Sequence, residues 1–223
     1  MRESVQRIFH PGIGSAVSYE VEAVPEDADG QVAKIIDLMT GYVNQDYRTP
    51  EVTARAVEAL QYHPQDPLQA VFEHVKGKIH FALDETIAAP LYPLLSSRDQ
   101  EAVEVLIRPV DMAGMEGAYK LGDCDDFAMY TAALLLNLGI PCSFVTIAAD
   151  QGEPERFSHV YVAAYPLGGG RVAMDTSHGD GPGWESPHRY RIAEWPLQGM
   201  GRGGWVLLGL ALAGVWAMGK GRN

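Results

Sequence analysis

Along the first third of the chain, apolar residues recur at the three-and-four spacing of a helix buried on one face. Between residues 29 and 43 they fall at Val32, Ile35, Ile36, Met39 and Val43, which predicts one amphipathic helix. Thr49-Pro50 has the form of an N-cap followed by proline at the first helical position, opening a helix that runs to about Tyr62. Asp66-Pro67 repeats the device ahead of a stripe made by Leu68, Val71, Phe72, Val75 and Ile79. Ser97 and Gln100 stand at capping-box spacing before Ala102, Val103 and Leu106. Residues 109–121, rich in Gly and Met, read as a loop. Residues 127–138 are a strongly apolar helix, stopped by Gly139 and Pro141.

Beyond that stop the pattern shortens to strands, predicted over residues 142–148, 158–164 and 170–176. Residues 179–183 break it, and residues 187–196 hold one more short strand. Residues 15–24 alternate loosely and predict a strand near the N-terminus. Helices come first, then a central helix, then strands. This order predicts an α+β fold with the central helix packed on a mostly antiparallel sheet.

Composition agrees with a globular domain. Of the 223 residues, 47% are hydrophobic and 21% charged, enough for a sizeable core. The net charge of −12 argues against a nucleic-acid partner, which needs clustered Lys and Arg. Met1-Arg2-Glu3-Ser4 lacks an apolar h-region, so no signal peptide is expected. Residues 204–218 are uncharged, with Trp205 and Trp216 near the ends and Arg202, Lys220 and Arg222 as flanks. A helix of that length spans about 22 Å against a hydrocarbon core of roughly 30 Å, but the flanks have the character of interfacial anchors. The segment is therefore expected to meet a membrane, a buried C-terminal helix or a protein contact being the alternatives. Cys142 opens an apolar run and reads as a buried small hydrophobe.

The candidate chemistry starts at Gly122-Asp123-Cys124-Asp125-Asp126-Phe127-Ala128, at the head of the apolar helix. With Asp123 as N-cap, Cys124 occupies the first helical position, where free N–H groups and the helix dipole favour thiolate. The flanking aspartates oppose this, because nearby negative charge raises a thiol's pKa. They read as helix caps, and the thiolate then needs a cationic imidazole beside it. His159 begins a strand 35 residues later, and Asp175 ends the next one. The two face each other if the hairpin is centred on Leu167, with a loop over residues 165–169. A loop of even length without a bulge would separate them onto opposite faces.

These segments, with Leu138-Gly139-Ile140-Pro141, Ser158-His159-Val160-Tyr161-Val162 and Met174-Asp175-Thr176, resemble the transglutaminase-like superfamily in order and spacing. The resemblance covers about half the chain. It implies a papain-like cysteine-protease fold, with Cys124 as nucleophile, His159 as base and Asp175 orienting the histidine. It further implies a peptidase or amidase working through an acyl-enzyme thioester on a peptide or protein substrate. The oxyanion would be met by the Cys124 N–H and by a second donor, with Tyr119 and Tyr92 as candidates. Animal transglutaminases carry Trp after the cysteine, where this chain has Asp125, and no calcium motif is present. Stand-alone members of similar size occur in bacteria and in phages or prophages, which this chain somewhat resembles. The rival reading is a virion or envelope structural protein with this fold and little catalysis.

On the resemblance, residues 1–48 are an N-terminal strand and helix, 49–198 the transglutaminase-like catalytic domain, and 199–223 a Gly-rich lead-in with a hydrophobic C-terminal helix. The location expected is cytoplasmic or virion-associated, with a C-terminal membrane anchor. No cofactor or metal is expected: Asp123, Asp125 and Asp126 lack the spacing of a calcium loop. Gly168-Gly169-Gly170 reads as a turn rather than a phosphate loop. His178 and His188 read as loop residues, and His74 and His80 as surface or helix-end residues outside the apolar stripe.

Overall fold

The structure is a computed structural model describing residues 2–5, 21–24, 27–89, 104–115 and 120–197. Strands β1 (Arg2–Val5) and β2 (Val21–Val24) pair antiparallel near the N-terminus. Of the strand expected over residues 15–24, only β2 falls among the described residues.

Three helices follow, the second and third opened by the caps the sequence predicts. The Asp27 carboxylate accepts the Gly30 N–H at 2.6 Å ahead of α1 (Ala28–Asp46). Thr49 Oγ1 accepts from Val52 N at the start of α2 (Pro50–Leu60). Asp66 accepts from Gln69 N at 3.1 Å before α3 (Pro67–Lys78). Each cap satisfies one of the four N–H groups a helix start leaves unpaired, a contribution of about 1 kcal/mol. Then come β3 (His80–Phe81) and the short α4 (Asp84–Ala88). Within residues 109–121, expected to be a loop, the chain forms a one-turn helix, α5 (Pro109–Gly114). Proline pre-sets its first turn, and burial of Met112 and Ala113 anchors it. Strand β4 (Leu121–Gly122) pairs parallel with β3 and leads the chain into α6 (Cys124–Asn137).

Helix α6 is the axis of the molecule. Every residue from Asp125 to Leu136 is buried, because α1, α2, α3 and α5 pack around it on the sides the sheet leaves open. A helix apolar on all faces has to be enclosed in this way. Its partner is an antiparallel sheet in the order β7-β6-β5-β8, made from β5 (Cys142–Ala148), β6 (His159–Ala164), β7 (Val172–Met174) and β8 (Arg191–Pro196). Alternation sorts the side chains. Cys142, Phe144, Val160, Val162 and Met174 join the main core with α6, whereas Val145, Ile147, Tyr161, Ala163 and Ala173 form a second cluster. Cys142 is the buried small hydrophobe expected, with no exposed surface.

The capping box at Ser97 and Gln100, the tyrosines Tyr92 and Tyr119, and the apolar segment 204–218 lie outside the described residues. Among the described residues, no helix is long and apolar enough to cross a membrane.

Candidate active site

The N-terminus of α6 is built by its own aspartates. Asp123 is the N-cap; its Oδ1 accepts from Asp125 N at 3.1 Å, while Asp126 Oδ2 accepts from Asp123 N at 3.3 Å, closing a capping box. Asp126 Oδ1 also takes the Ile107 N–H at 2.7 Å, tying the preceding segment to the helix. Gly122 is required here, since a Cβ on it would lie 2.8 Å from the Asp126 Cβ. Cys124 is therefore the first helical residue, half-buried, with its N–H among those lacking an intrahelical acceptor.

The hairpin carrying the other two residues has a different register from the one expected. Strand β6 pairs with β7 through Val162↔Met174, Ala163↔Ala173 and Ala164↔Val172, a hairpin centred on Gly168 rather than Leu167. Asp175 thus sits one residue past the strand, diagonal to His159 instead of directly opposite. A shift of two residues keeps both on the same face, whereas a shift of one would not. Diagonal neighbours are within reach of a ring, and His159 Nε2 bonds Asp175 Oδ2 at 2.8 Å. The histidine side chain is 9% exposed and the carboxylate 0%.

Two residues beyond the predicted trio complete this side. Ser177 Oγ donates to Asp175 Oδ1 at 2.9 Å, and the His178 N–H donates to the same oxygen at 3.0 Å. His178 is the exposed loop residue expected, and its ring packs edge-on to His159 with centroids 4.8 Å apart. Gly179 follows because a Cβ there would press to 2.6 Å from the Asp175 carbonyl oxygen. Sequence reading passes over Ser177, although Asp followed by Ser two residues on and an N–H three on is the spacing of a carboxylate-capped turn. His74 also departs from expectation. It is 5% exposed, with Nε2 3.3 Å from Tyr130 Oη, and burial drives its pKa down to about 4. His80 lies on β3 and His188 in a loop, both exposed.

Cys124 and His159 line one cavity of about 230 Å³. Its other walls are apolar residues of α1, including Ile35, Ile36 and Met39, and three carboxyls, Glu104, Asp123 and Asp125. The sulfur receives the Val160 N–H and donates to Asp125 Oδ1 at 3.5 Å. Burial, then the charges of Asp125 and Asp123, push the thiol well above its usual pKa. The same conditions act on the carboxyls behind it. Burial and Asp125 lift Asp84 to about 8, and burial lifts Glu104, Asp123 and Asp126 well above the carboxylate range. Asp175 behaves oppositely: burial pushes it up, but the His159 bond and charge, with the His178 N–H and Ser177, hold it below the ordinary value. Asp123 and Asp126 are the caps, as expected, whereas the Asp125 carboxylate caps nothing and instead meets the thiol, and Asp125 and Asp123 supply the negative field on the sulfur.

Comparison with known proteins adds little. No family model and no curated protein matches the chain. One solved structure, described as a "Putative Cysteine Protease" from Cytophaga hutchinsonii, is similar over 64% of this chain and 42% of its own. The chain therefore spans less than half of that protein's length. At 17% identity and a TM-score of 0.38, this likeness carries no argument, and it lends no support to a phage or prophage origin.

Proposed function

We propose that the protein is a cysteine-nucleophile hydrolase or acyltransferase of the transglutaminase-like type, acting on peptide or amide bonds. The observation that carries this reading is the buried His159–Asp175 pair, which shares one cavity with a cysteine at a helix N-terminus. Asp175 engages Nε2, which leaves Nδ1 as the nitrogen for proton exchange with the thiol. In the reaction, the Cys124 sulfur forms a bond to the substrate carbonyl carbon as its proton passes to His159. The oxyanion is met by the Cys124 N–H. The C–N bond then breaks, the imidazolium protonates the departing amine, and a thioester remains. Water or a second amine attacks the thioester, returning its proton through His159 to the sulfur.

For this to occur, the thiol must exchange its contact with Asp125 for one with the imidazole. Its present contact and raised pKa favour a second reading, a virion or envelope structural protein that keeps this architecture without turnover. Iodoacetamide separates the two. Rapid, pH-dependent labelling of Cys124 but not Cys142, abolished in His159→Ala, is the enzyme's result. Slow and equal labelling of both cysteines is the scaffold's. The peptide or amide substrate is then found by trapping the acyl-enzyme against peptide, cell-wall and glutamine-amide libraries. A membrane or protein contact through residues 204–218, with a cytoplasmic or virion setting, belongs to the same proposal and is tested by flotation of the full chain with lipid vesicles.

A further inference from the structure

Four rings stand in a row that meets the cavity at His159. Centroids are 5.2 Å apart between Phe81 and His178, 4.8 Å between His178 and His159, and 6.1 Å between His159 and Tyr161. His178 is held in this row by two contacts, the edge of Phe81 and a 2.9 Å bond from its Nδ1 to Ser177 Oγ. That bond leaves Nε2 as the ring atom open to another partner. One ligand atom from each of His159, Asp175 and His178 lies within 4.8 Å of the other two. Two imidazoles and a carboxylate at this spacing suit a borderline divalent cation such as zinc, which prefers nitrogen and oxygen ligands about 2.0–2.2 Å away. The surrounding contacts are those that ligating groups need. Ser177 fixes both the His178 ring and the Asp175 carboxylate, and the His178 N–H holds the same carboxylate oxygen.

We propose that His159, Asp175 and His178 form a reversible binding site for a zinc-class cation. Binding closes the site, because the metal takes the histidine that the proposed reaction uses as its base; this consequence rests on the function proposed above, whereas the binding itself does not. His159 coordinates through Nε2, the nitrogen beside Asp175, so its ring proton sits on Nδ1 and the His159–Asp175 hydrogen bond gives way to two metal bonds. No proton is lost overall from the neutral ring. With three protein ligands the cation keeps an open position, as exchangeable sites do.

The test titrates the full chain with zinc chloride by calorimetry and with Co²⁺ by absorption, in parallel with Cys124→Ala and His178→Ala. One saturable site is expected, unchanged in Cys124→Ala and weakened at least about tenfold in His178→Ala. The bound Co²⁺ should show no thiolate charge-transfer band. His178 is exposed, so its loss leaves the core intact. Absence of saturable binding, equal affinity in His178→Ala, or a thiolate band that disappears with Cys124 would each overturn the proposal. Neither readout requires turnover, so a chain that never forms an acyl-enzyme still answers the question.

Discussion

Asp126 and Asp175 are both fully buried, a short distance from the same cavity, and their acidities move in opposite directions. Asp126 accepts two backbone N–H groups, but Asp84 and Asp125 stand close by, and burial outweighs the donors. Asp175 accepts a hydroxyl, an N–H and an imidazole, and among the described residues no carboxylate figures in its shift. Burial alone therefore does not decide the charge of an aspartate; the charges and donors around it can reverse the outcome. The helix side of the site is a crowd of acids that resists ionisation, whereas the sheet side is a charge-paired device. Between them, the Cys124 thiol takes its character from the first and, in the reaction proposed above, depends on the second for activation.

The largest effects should come from cutting the sheet side. His159→Ala removes the proton acceptor and is expected to lower acyl transfer by about a thousandfold or more, measured as acyl-enzyme formation. Asp175→Asn keeps the shape but alters the ring's partner, with a loss of about two to four orders of magnitude in kcat. An undiminished rate in either variant would remove the catalytic role assigned to that residue.

Neutralising the helix side should do the reverse. Asp125→Asn removes the nearest charge from the sulfur, lowers the thiol pKa and raises the iodoacetamide rate of Cys124 about three- to tenfold at neutral pH. No acceleration would mean that burial alone sets the thiol. Stability should follow pH with a sign set by each side. Asp84 is raised, so the folded state binds its proton more tightly. Its contribution is complete below the ordinary carboxylate range and is lost as pH climbs toward about 8. Asp175 is lowered, so its contribution holds above that range and disappears as pH falls below it. Urea unfolding between pH 5 and 8 should show declining stability, and Asp84→Asn should flatten the slope by up to about 1.4 kcal/mol per pH unit. The smallest effect belongs to Ser177→Ala. It deletes one donor to Asp175 and should cost about 1 kcal/mol in a thermal melt.

Much of this comparison was legible in the residues. Thr49-Pro50 and Asp66-Pro67 announced two helix starts because capping is local chemistry, complete within four residues. The enclosed helix followed from a run apolar on every face, and Asp123 as N-cap followed from its place before that run. The register of the β6–β7 hairpin was not legible. Glycines at 168, 169 and 170 allow several turns, and strand pairing rather than composition chose the centre at Gly168. His74 was misjudged for a related reason. It lies off the apolar stripe of its helix, and only packing from a distant element, Tyr130, brings it into the interior.

By itself, then, the sequence determined the caps at Thr49, Asp66 and Asp123, the apolar axis and the strands after it, since all of these depend on neighbours a few positions away. Tertiary structure alone decided which carboxyls crowd together around Cys124 and which one finds donors. Residues 84, 104 and 175 carry the same kind of group, and their electrostatics arise from contacts across long loops of chain. Such contacts leave no local pattern, because a carboxyl's proton affinity is set by whatever the fold places within a few ångströms of it.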